Sequence, residues 1–399
     1  MKINQQIKKF YLASFLKNQI YFVPIIVLFF QDLGLTYAEI FWIFTIGSAF
    51  SFIIEIPTGI ISDLYGARRS IIFSKFIIFV SFIFFGFSFN FVSILLANLI
   101  YELGKSFRSG TETAFIYNYL EATPGSPTYT KVKVNQKFYA RLSESLGALL
   151  GGFLAYKLGF SWVFFIASIP AFINFVQTLS WVKIENDKKS NSLGWKYNFI
   201  FLKETFKDLK SNKLVIKVII NISFFAGALA ALDKFVQPYM KSVGIELQYF
   251  GLIYSAFLIL AAILVKFTTK LEEKIGAKKI MNYSSFLAAL PLLVLGLGFS
   301  SQWAVALFFL VLMIDNIRSP IANTLFHQSL SSKNRATMGS ILELFKSLNK
   351  LWLLPLIGYM ADLYSLSLAI LAIFILIMVN AVIFFIPISK ILKVKPVNH

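Results

Sequence analysis

The chain has 399 residues, 57% of them hydrophobic and 14% charged, with 45 Phe, two His and no Cys. Soluble domains run nearer half apolar and a quarter charged, so a single water-soluble core is excluded. The missing Cys excludes disulfides and thiolate metal sites, and two His argue against a His cluster for a metal.

The apolar runs are about 20 residues long, as a hydrocarbon core of about 30 Å demands, and at about 33 residues per helix and loop the chain holds roughly twelve spans. Span 1 follows a polar, amphipathic start, Met1–Lys17, that does not read as a cleavable signal. It reaches about Phe30 and ends at the turn Asp32-Leu-Gly34-Leu-Thr36. Span 2 runs from about Ala38 to Ser62, span 3 from Ser70 to Phe89 and span 4 from Val92 to about Tyr117. Pro124-Gly125-Ser126-Pro127 breaks the next loop, and spans 5 and 6 pivot at Leu158-Gly159. A basic linker then carries Phe199, Leu202, Phe206 and Leu209 at helical spacing, which predicts an amphipathic helix on the membrane surface. The plan repeats from Leu214 to about Ile388. The expected organisation is therefore a six-helix half (1–182), a cytoplasmic linker (183–213), and a second six-helix half with a short tail (214–399).

The net charge of +19 raises nucleic acid as a partner, but its placement argues otherwise. Lys and Arg crowd the linker, the segment Lys131–Arg141 and the end of the chain at Lys390, Lys393 and Lys395. The alternate connections near Asn90, Gly159, Ser300 and Ser365 are nearly free of them. This is the positive-inside pattern, which puts both termini and the linker in the cytoplasm. The excess is assigned to topology and to anionic lipid head groups, not to nucleic acid.

Between spans 2 and 3 lies Gly59-Ile-Ile-Ser-Asp63-Leu-Tyr-Gly66-Ala-Arg68-Arg69, and 210 residues later Glu273-Lys-Ile-Gly276-Ala-Lys278-Lys279 repeats its order of acid, Gly, Ala, base, base. Gly34 and Gly244 keep the same offset, as do Arg108-Ser109 and Arg318-Ser319. Leu150–Ala155 matches Leu356–Ala361 at an offset of 206. Two membrane halves with one loop at one place point to a duplicated transporter.

The stretch Glu55-Ile-Pro57-Thr-Gly59 to Arg69 resembles the loop between helices 2 and 3 of the major facilitator superfamily, G-x-x-x-D-x-x-G-R-R/K. The resemblance covers nearly the whole chain. It implies an all-α fold of twelve transmembrane helices in two six-helix pseudo-repeats. It also makes Asp63 a cap on span 11 and a conformational latch, with Arg68 and Arg69 as partners. The physics suits this, because a helix N-terminus presents free N–H groups and a positive dipole end. Gly59 is then expected to allow close helix contact and Gly66 the tight turn, with Glu273 and Gly276 as their counterparts. On span 5, Gly147, Gly151 and Gly152 match the g-x-x-x-G-P-x-x-G-G motif of family antiporters, with Ala148 in place of the proline. The segment Arg108–Tyr117 resembles drug-efflux-like bacterial members, and Arg108 lies near the family's span 4 arginine, linked there to proton coupling.

A charge at mid-membrane costs about 2.5–3.5 kcal/mol even on a lenient scale, so it needs a cavity or a partner. On span 4, Glu102, Lys105, Arg108 and Glu112 fall within about 120° at about 100° per residue, and their spacing permits Glu102–Lys105 and Arg108–Glu112 pairs. Span 10 adds Asp315 and Arg318, and span 11 adds Glu343, Lys346 and Lys350. Glu144 lies on span 5 and Glu55 on span 2. These residues, nearly balanced in sign, are expected to line a polar pathway, with structural ion pairs as the blander alternative. Carboxylates beside fixed cations suit proton coupling, since protonation frees the cation. Glu102, about 15 Å into its span, is the first candidate, followed by Glu55 and Asp315. Asp32 and Asp233 fall toward the outer mouth.

The expected function is a proton-coupled secondary transporter of a small organic solute in the cell membrane. It is expected to act as a monomer without a metal or cofactor beyond the proton gradient. Efflux is placed ahead of symport uptake. A membrane enzyme or a transporter-like receptor is the remote alternative, and no G-x-x-x-x-G-K-[ST] phosphate loop occurs.

Overall fold

The computed structural model describes residues 3–183, 213–328 and 335–391, so the linker helix expected around Phe199–Leu209 lies outside the described residues. Every regular element described is helical. Span 1 is split into α1 (Ile3–Lys17) and α2 (Ile26–Asp32), and α3 (Tyr37–Tyr65) and α4 (Ala67–Gly86) are spans 2 and 3. Span 4 is split into α5 (Phe91–Arg108) and α6 (Thr111–Glu121), and α7 (Tyr129–Leu158) and α8 (Phe160–Leu179) complete the first six. The second six begin with α9 (Lys213–Ser242), followed by a split span 8, α10 (Leu247–Lys266) and α11 (Thr268–Ile275). They end with α12 (Ala277–Gly296), α13 (Val305–Gln328), α14 (Arg335–Leu363) and α15 (Leu366–Ile391). Eight described helices are long and apolar enough to cross a membrane; the other spans are broken or carry charge.

The sequence reading began span 1 after Lys17 and ran spans 1 and 4 as unbroken helices; the structure draws α1 into span 1 and splits both spans. Pro24 lacks an N–H and clashes with the carbonyl four residues before it, so a helix cannot continue through it unkinked. Residues 18–25 close short turns instead, with Ile20 N–H donating to Asn18 O and Ile25 N–H to Phe22 O. The amphipathic start is part of the packed bundle: Phe10 and Ala13 are fully buried, and Phe10 meets Phe115, Tyr119 and Trp181 edge-on. Such edge contacts suit the ring quadrupole, and close packing replaces the hydrophobic effect between helices in lipid. In span 4 the chain turns at Gly110, whose φ is 68°.

The duplication is visible in local geometry. Gly66 (φ 92°, ψ 140°) and Gly276 (φ 88°, ψ 134°) adopt one conformation, each just before a helix. Their N–H groups donate to Ser62 O and Glu272 O, partners at the same offset. A Cβ at Gly152 would lie 2.7 Å from Leu247 O, and one at Gly358 would lie 2.8 Å from Tyr37 O. These pairs repeat the two offsets found in the sequence, 206 on one side and 210 on the other.

The described helices gather into two compact units. Residues 3–35, 46–183 and 245–258 form the first, and 36–45, 213–244, 259–328 and 335–391 form the second. Relative to halves 1–182 and 214–399, the first turns of α3 and most of α10 are exchanged. The cause is packing within each unit. In the first, Gly152 and Gly251 let α7 and α10 touch at the backbone. In the second, the Asp362 carboxylate accepts from the N–H groups of Tyr37 and Ala38, 2.8 Å each, and so caps α3.

Gly59 does not support the close contact expected of it, since among the described residues a Cβ there meets nothing within 4 Å. Gly66→Ala and Gly276→Ala should each destabilise by roughly 1–2 kcal/mol, because a Cβ is strained at positive φ. Gly59→Ala should be neutral or slightly stabilising in its helix. Thermal unfolding followed by tryptophan fluorescence in detergent checks all three.

Candidate functional site

The first unit contains an open cavity of about 670 Å³. Its walls come from α1 and the turn after it (Lys17, Asn18), α3 (Ser51, Glu55), α5 (Lys105, Arg108), α6 (Glu112, Thr113) and α7 (Lys133, Gln136, Lys137). Both helix breaks serve it. The turn after α1 puts Asn18 at the wall, and the turn at Ser109-Gly110 re-aims span 4, so that α5 and α6 meet at the cavity. No side chain caps the N-terminus of α6 at Gly110.

Glu112 is the centre of the charge network. Its carboxylate lies 3.4 Å from Lys17 Nζ and 3.4 Å from Lys75 Nζ. Lys75, on α4, is buried to 3% exposure in an apolar helix, so removing its anion would leave an uncompensated charge. The expected Glu102–Lys105 pair forms, with Lys105 Nζ 2.8 and 2.9 Å from the two carboxylate oxygens. The expected Arg108–Glu112 pair does not. Among the described residues Arg108 forms no hydrogen bond or ion pair, because the two lysines already occupy Glu112. Lys133 donates to Thr113 Oγ1 at 3.2 Å, and Ser109 Oγ donates to the exposed Glu55 carboxylate at 2.6 Å.

The wall therefore carries five cations (Lys17, Lys105, Arg108, Lys133, Lys137) against two carboxylates, Glu55 and Glu112. This corrects the near balance counted along the sequence, which pooled the charges of both units. In the second unit, Arg318 is buried, stacked 3.9 Å over the Phe225 ring, and donates to Asn221 Oδ1 at 2.6 Å. Asn221 and Asn380 lock together, and Arg318 Nε has no hydrogen-bond partner among the described residues. Asp315 forms no ion pair with Arg318 among the described residues, while Glu343 pairs with Lys346 at 2.8 Å. Lys350 shares α14 with that pair.

The other expected residues fall elsewhere. Glu144 pairs with Arg141 at 2.7 Å on the surface. Asp32 is exposed, and Asp233 pairs with its neighbour Lys234 at 2.9 Å. Asp63 is exposed at the end of α3 and makes no ion pair with Arg68 or Arg69 among the described residues. Arg68 donates instead to the carbonyls of Trp181 (2.8 Å) and Leu179. Glu273 is exposed beside Gly276. Gly147 and Gly151 seat the turn of span 1, where a Cβ would meet the backbone of Ile20 and Tyr21, and Gly152 faces α10. The motif glycines are thus packing contacts here. Sequence reasoning missed Lys17 and Lys75. Lys75 had a signal, as a lone charge within the apolar run of span 3.

A family model described as Major Facilitator Superfamily matches residues 10–348 and 224–398. The chain belongs to that superfamily. It is 22% identical over 293 residues, 72% of each chain, to the uncharacterized MFS-type transporter YxaM of Bacillus subtilis. It is 26% identical over 263 residues to the uncharacterized MFS-type transporter MJ1560 of Methanocaldococcus jannaschii, 64% of this chain and 65% of that one. Among solved structures it resembles the nucleoside transporter NupG, with a TM-score of 0.77 at 15% identity over 99% of this chain and 100% of the other. A bacterial homolog of the human lysosomal transporter Spinster, inward-facing and unoccupied, gives a TM-score of 0.77 at 15% identity, with 98% and 97% covered. At these identities the likeness shows the fold alone. The protein is a multi-pass membrane transporter with the twelve-span, two-repeat fold, and not an enzyme.

Breaking the central pair should cost folding. Glu112→Leu or Lys75→Met alone should destabilise by about 3–5 kcal/mol, while the double variant should lose much less than their sum. Unfolding midpoints of the three variants in one detergent measure the coupling.

Proposed function

We propose that this chain is a proton-coupled secondary transporter that carries a small organic solute by alternating access, and that its first unit's cavity is part of the solute path. One observation carries the coupling. Lys105 lines the cavity, and Glu102, which pairs with it, is largely shielded at 13% side-chain exposure. Protonating Glu102 removes the attraction and leaves the Lys105 ammonium free at the wall. Deprotonation closes the pair again and withdraws that cation from the solute. Glu55 and Asp315 remain secondary candidates, and Glu55 lines the same wall.

In this reading both termini and the linker face the cytoplasm of a cell membrane, as the positive-inside bias supports. Anionic head groups meet the basic loops, and the carrier works as a monomer. Asp63 acts as a latch in a state where it reaches the start of span 11 or a motif arginine. Export rested on the glycine motif of α7, and packing against residues 18–25 accounts for two of those glycines.

The test is transport of labelled solutes into proteoliposomes, with and without an imposed pH gradient. The wild type should concentrate a solute only when the gradient is present. Glu102→Gln, which mimics the protonated form, should keep solute exchange but lose gradient-driven accumulation. A Glu102→Gln protein that still concentrates solute with unchanged pH dependence removes Glu102 from the coupling.

A further inference from the structure

We infer that the cavity of the first unit binds a small organic oxoanion, a carboxylate or phosphate, between Arg108 and Lys133. This rests on the reading of the cavity as the solute path. It follows from which charges are already satisfied. Glu112 is held by Lys17 and Lys75, and Glu102 by Lys105. Arg108 has no partner among the described residues, Lys133 has only the Thr113 hydroxyl, and Lys137 has no carboxylate partner among the described residues. Among the described residues Glu55 is the wall carboxylate outside an ion pair, and it is tied to Ser109. Arg108, Glu112, Thr113 and Lys133 line the same cavity, and the Lys133–Thr113 hydrogen bond places Lys133 beside the first turn of α6.

The geometry suits an oxoanion. A guanidinium presents a planar fork of donors that matches a carboxylate or phosphate bidentately, and Lys133 adds a point charge. The N-terminus of α6, eleven residues long and without a side-chain cap, opens at the same wall. The volume of about 670 Å³ lies within the range of small-molecule pockets. Anion binding also gives the coupling a sign: protonated Glu102 frees Lys105 for the anion, so proton and solute load together and move in one direction.

The experiment measures equilibrium binding to the purified full-length protein in nanodiscs without any gradient. Four probes of similar size are compared: gluconate, glucose 6-phosphate, glucose and tetraethylammonium. At least one of the two anions should bind, with the phosphate and carboxylate arms identifying the group preferred, while glucose and tetraethylammonium should not. Arg108→Gln should weaken that binding at least about tenfold. Arg108→Lys, which keeps the charge and loses the fork, should bind more weakly than the wild type and more tightly than Arg108→Gln, and the Arg108→Gln and Lys133→Met double variant should abolish binding. Thermal melts establish that each variant is folded. Glu102→Gln should bind the anion at least as tightly as the wild type; weaker binding there overturns co-loading of proton and anion. Failure of both anions to bind, equal binding of glucose or tetraethylammonium, or unchanged affinity in a folded Arg108→Gln protein overturns the inference. Anion binding without gradient-driven accumulation would sink proton coupling alone. Gradient-driven transport of a neutral or cationic solute would sink the anion assignment alone.

Discussion

The buried ammonium of Lys75 constrains the first unit more than any other group. An apolar helix in a hydrocarbon solvent tolerates such a charge only with an anion beside it, and Glu112 is that anion. To supply it, span 4 must break at Ser109-Gly110 so that α6 turns its first residues toward α4. To balance a shared carboxylate, α1 brings Lys17 to the same point. One ion cluster thus ties together α1, α4 and α6, and its consequence is functional. With Glu112 occupied, Arg108 is left facing the cavity with donors to spare, and the wall acquires its cationic excess.

The backbone at the glycines sets how closely the helices can come. Gly147 and Gly151 on α7 admit the main chain of residues 18–25, which runs there as turns. Without those glycines the turn could not sit there, and Asn18 would not reach the wall. The same economy appears twice over in Gly152 and Gly358, which meet equivalent backbone in the two units. Duplication of the chain therefore preserved contacts as well as motifs. The charges diverged: where the first unit has a cavity at Arg108, the second buries the equivalent Arg318 against Phe225 and Asn221.

Much of this was legible in the sequence because it is local. Hydrophobic runs of bilayer length predict the spans, the repeated loop predicts the halves, and spacing of three on a helix predicts Glu102–Lys105. What the sequence hid depends on residues far apart. Lys17 and Lys75 reach Glu112 from separations of 95 and 37 residues, which no periodicity records. The same contacts displaced the local Arg108–Glu112 pair. The apparent charge balance failed because Asp315 and Glu343 belong to the second unit and not to the wall of the first. Asp63 and Arg68 illustrate the reverse limit: a motif names residues, while Arg68 here donates to the carbonyls that end α8.

The central claim is that a polar, water-accessible cavity is built between α1, α3, α5, α6 and α7. The chain has no Cys of its own, so single cysteines report without background. Substituting Cys at Ser51, Ser109, Thr113 or Ala140 on the cavity wall, and at Phe84 or Ile169, which are exposed on apolar helices, gives the comparison. The rate of modification by a charged, water-borne thiol reagent in native membranes is the measurement. The account predicts fast labelling at the wall positions, faster for an anionic reagent than for a cationic one, and slow labelling at Phe84 and Ile169. Wall cysteines as unreactive as those on the apolar faces, or a preference for the cationic reagent, would contradict it.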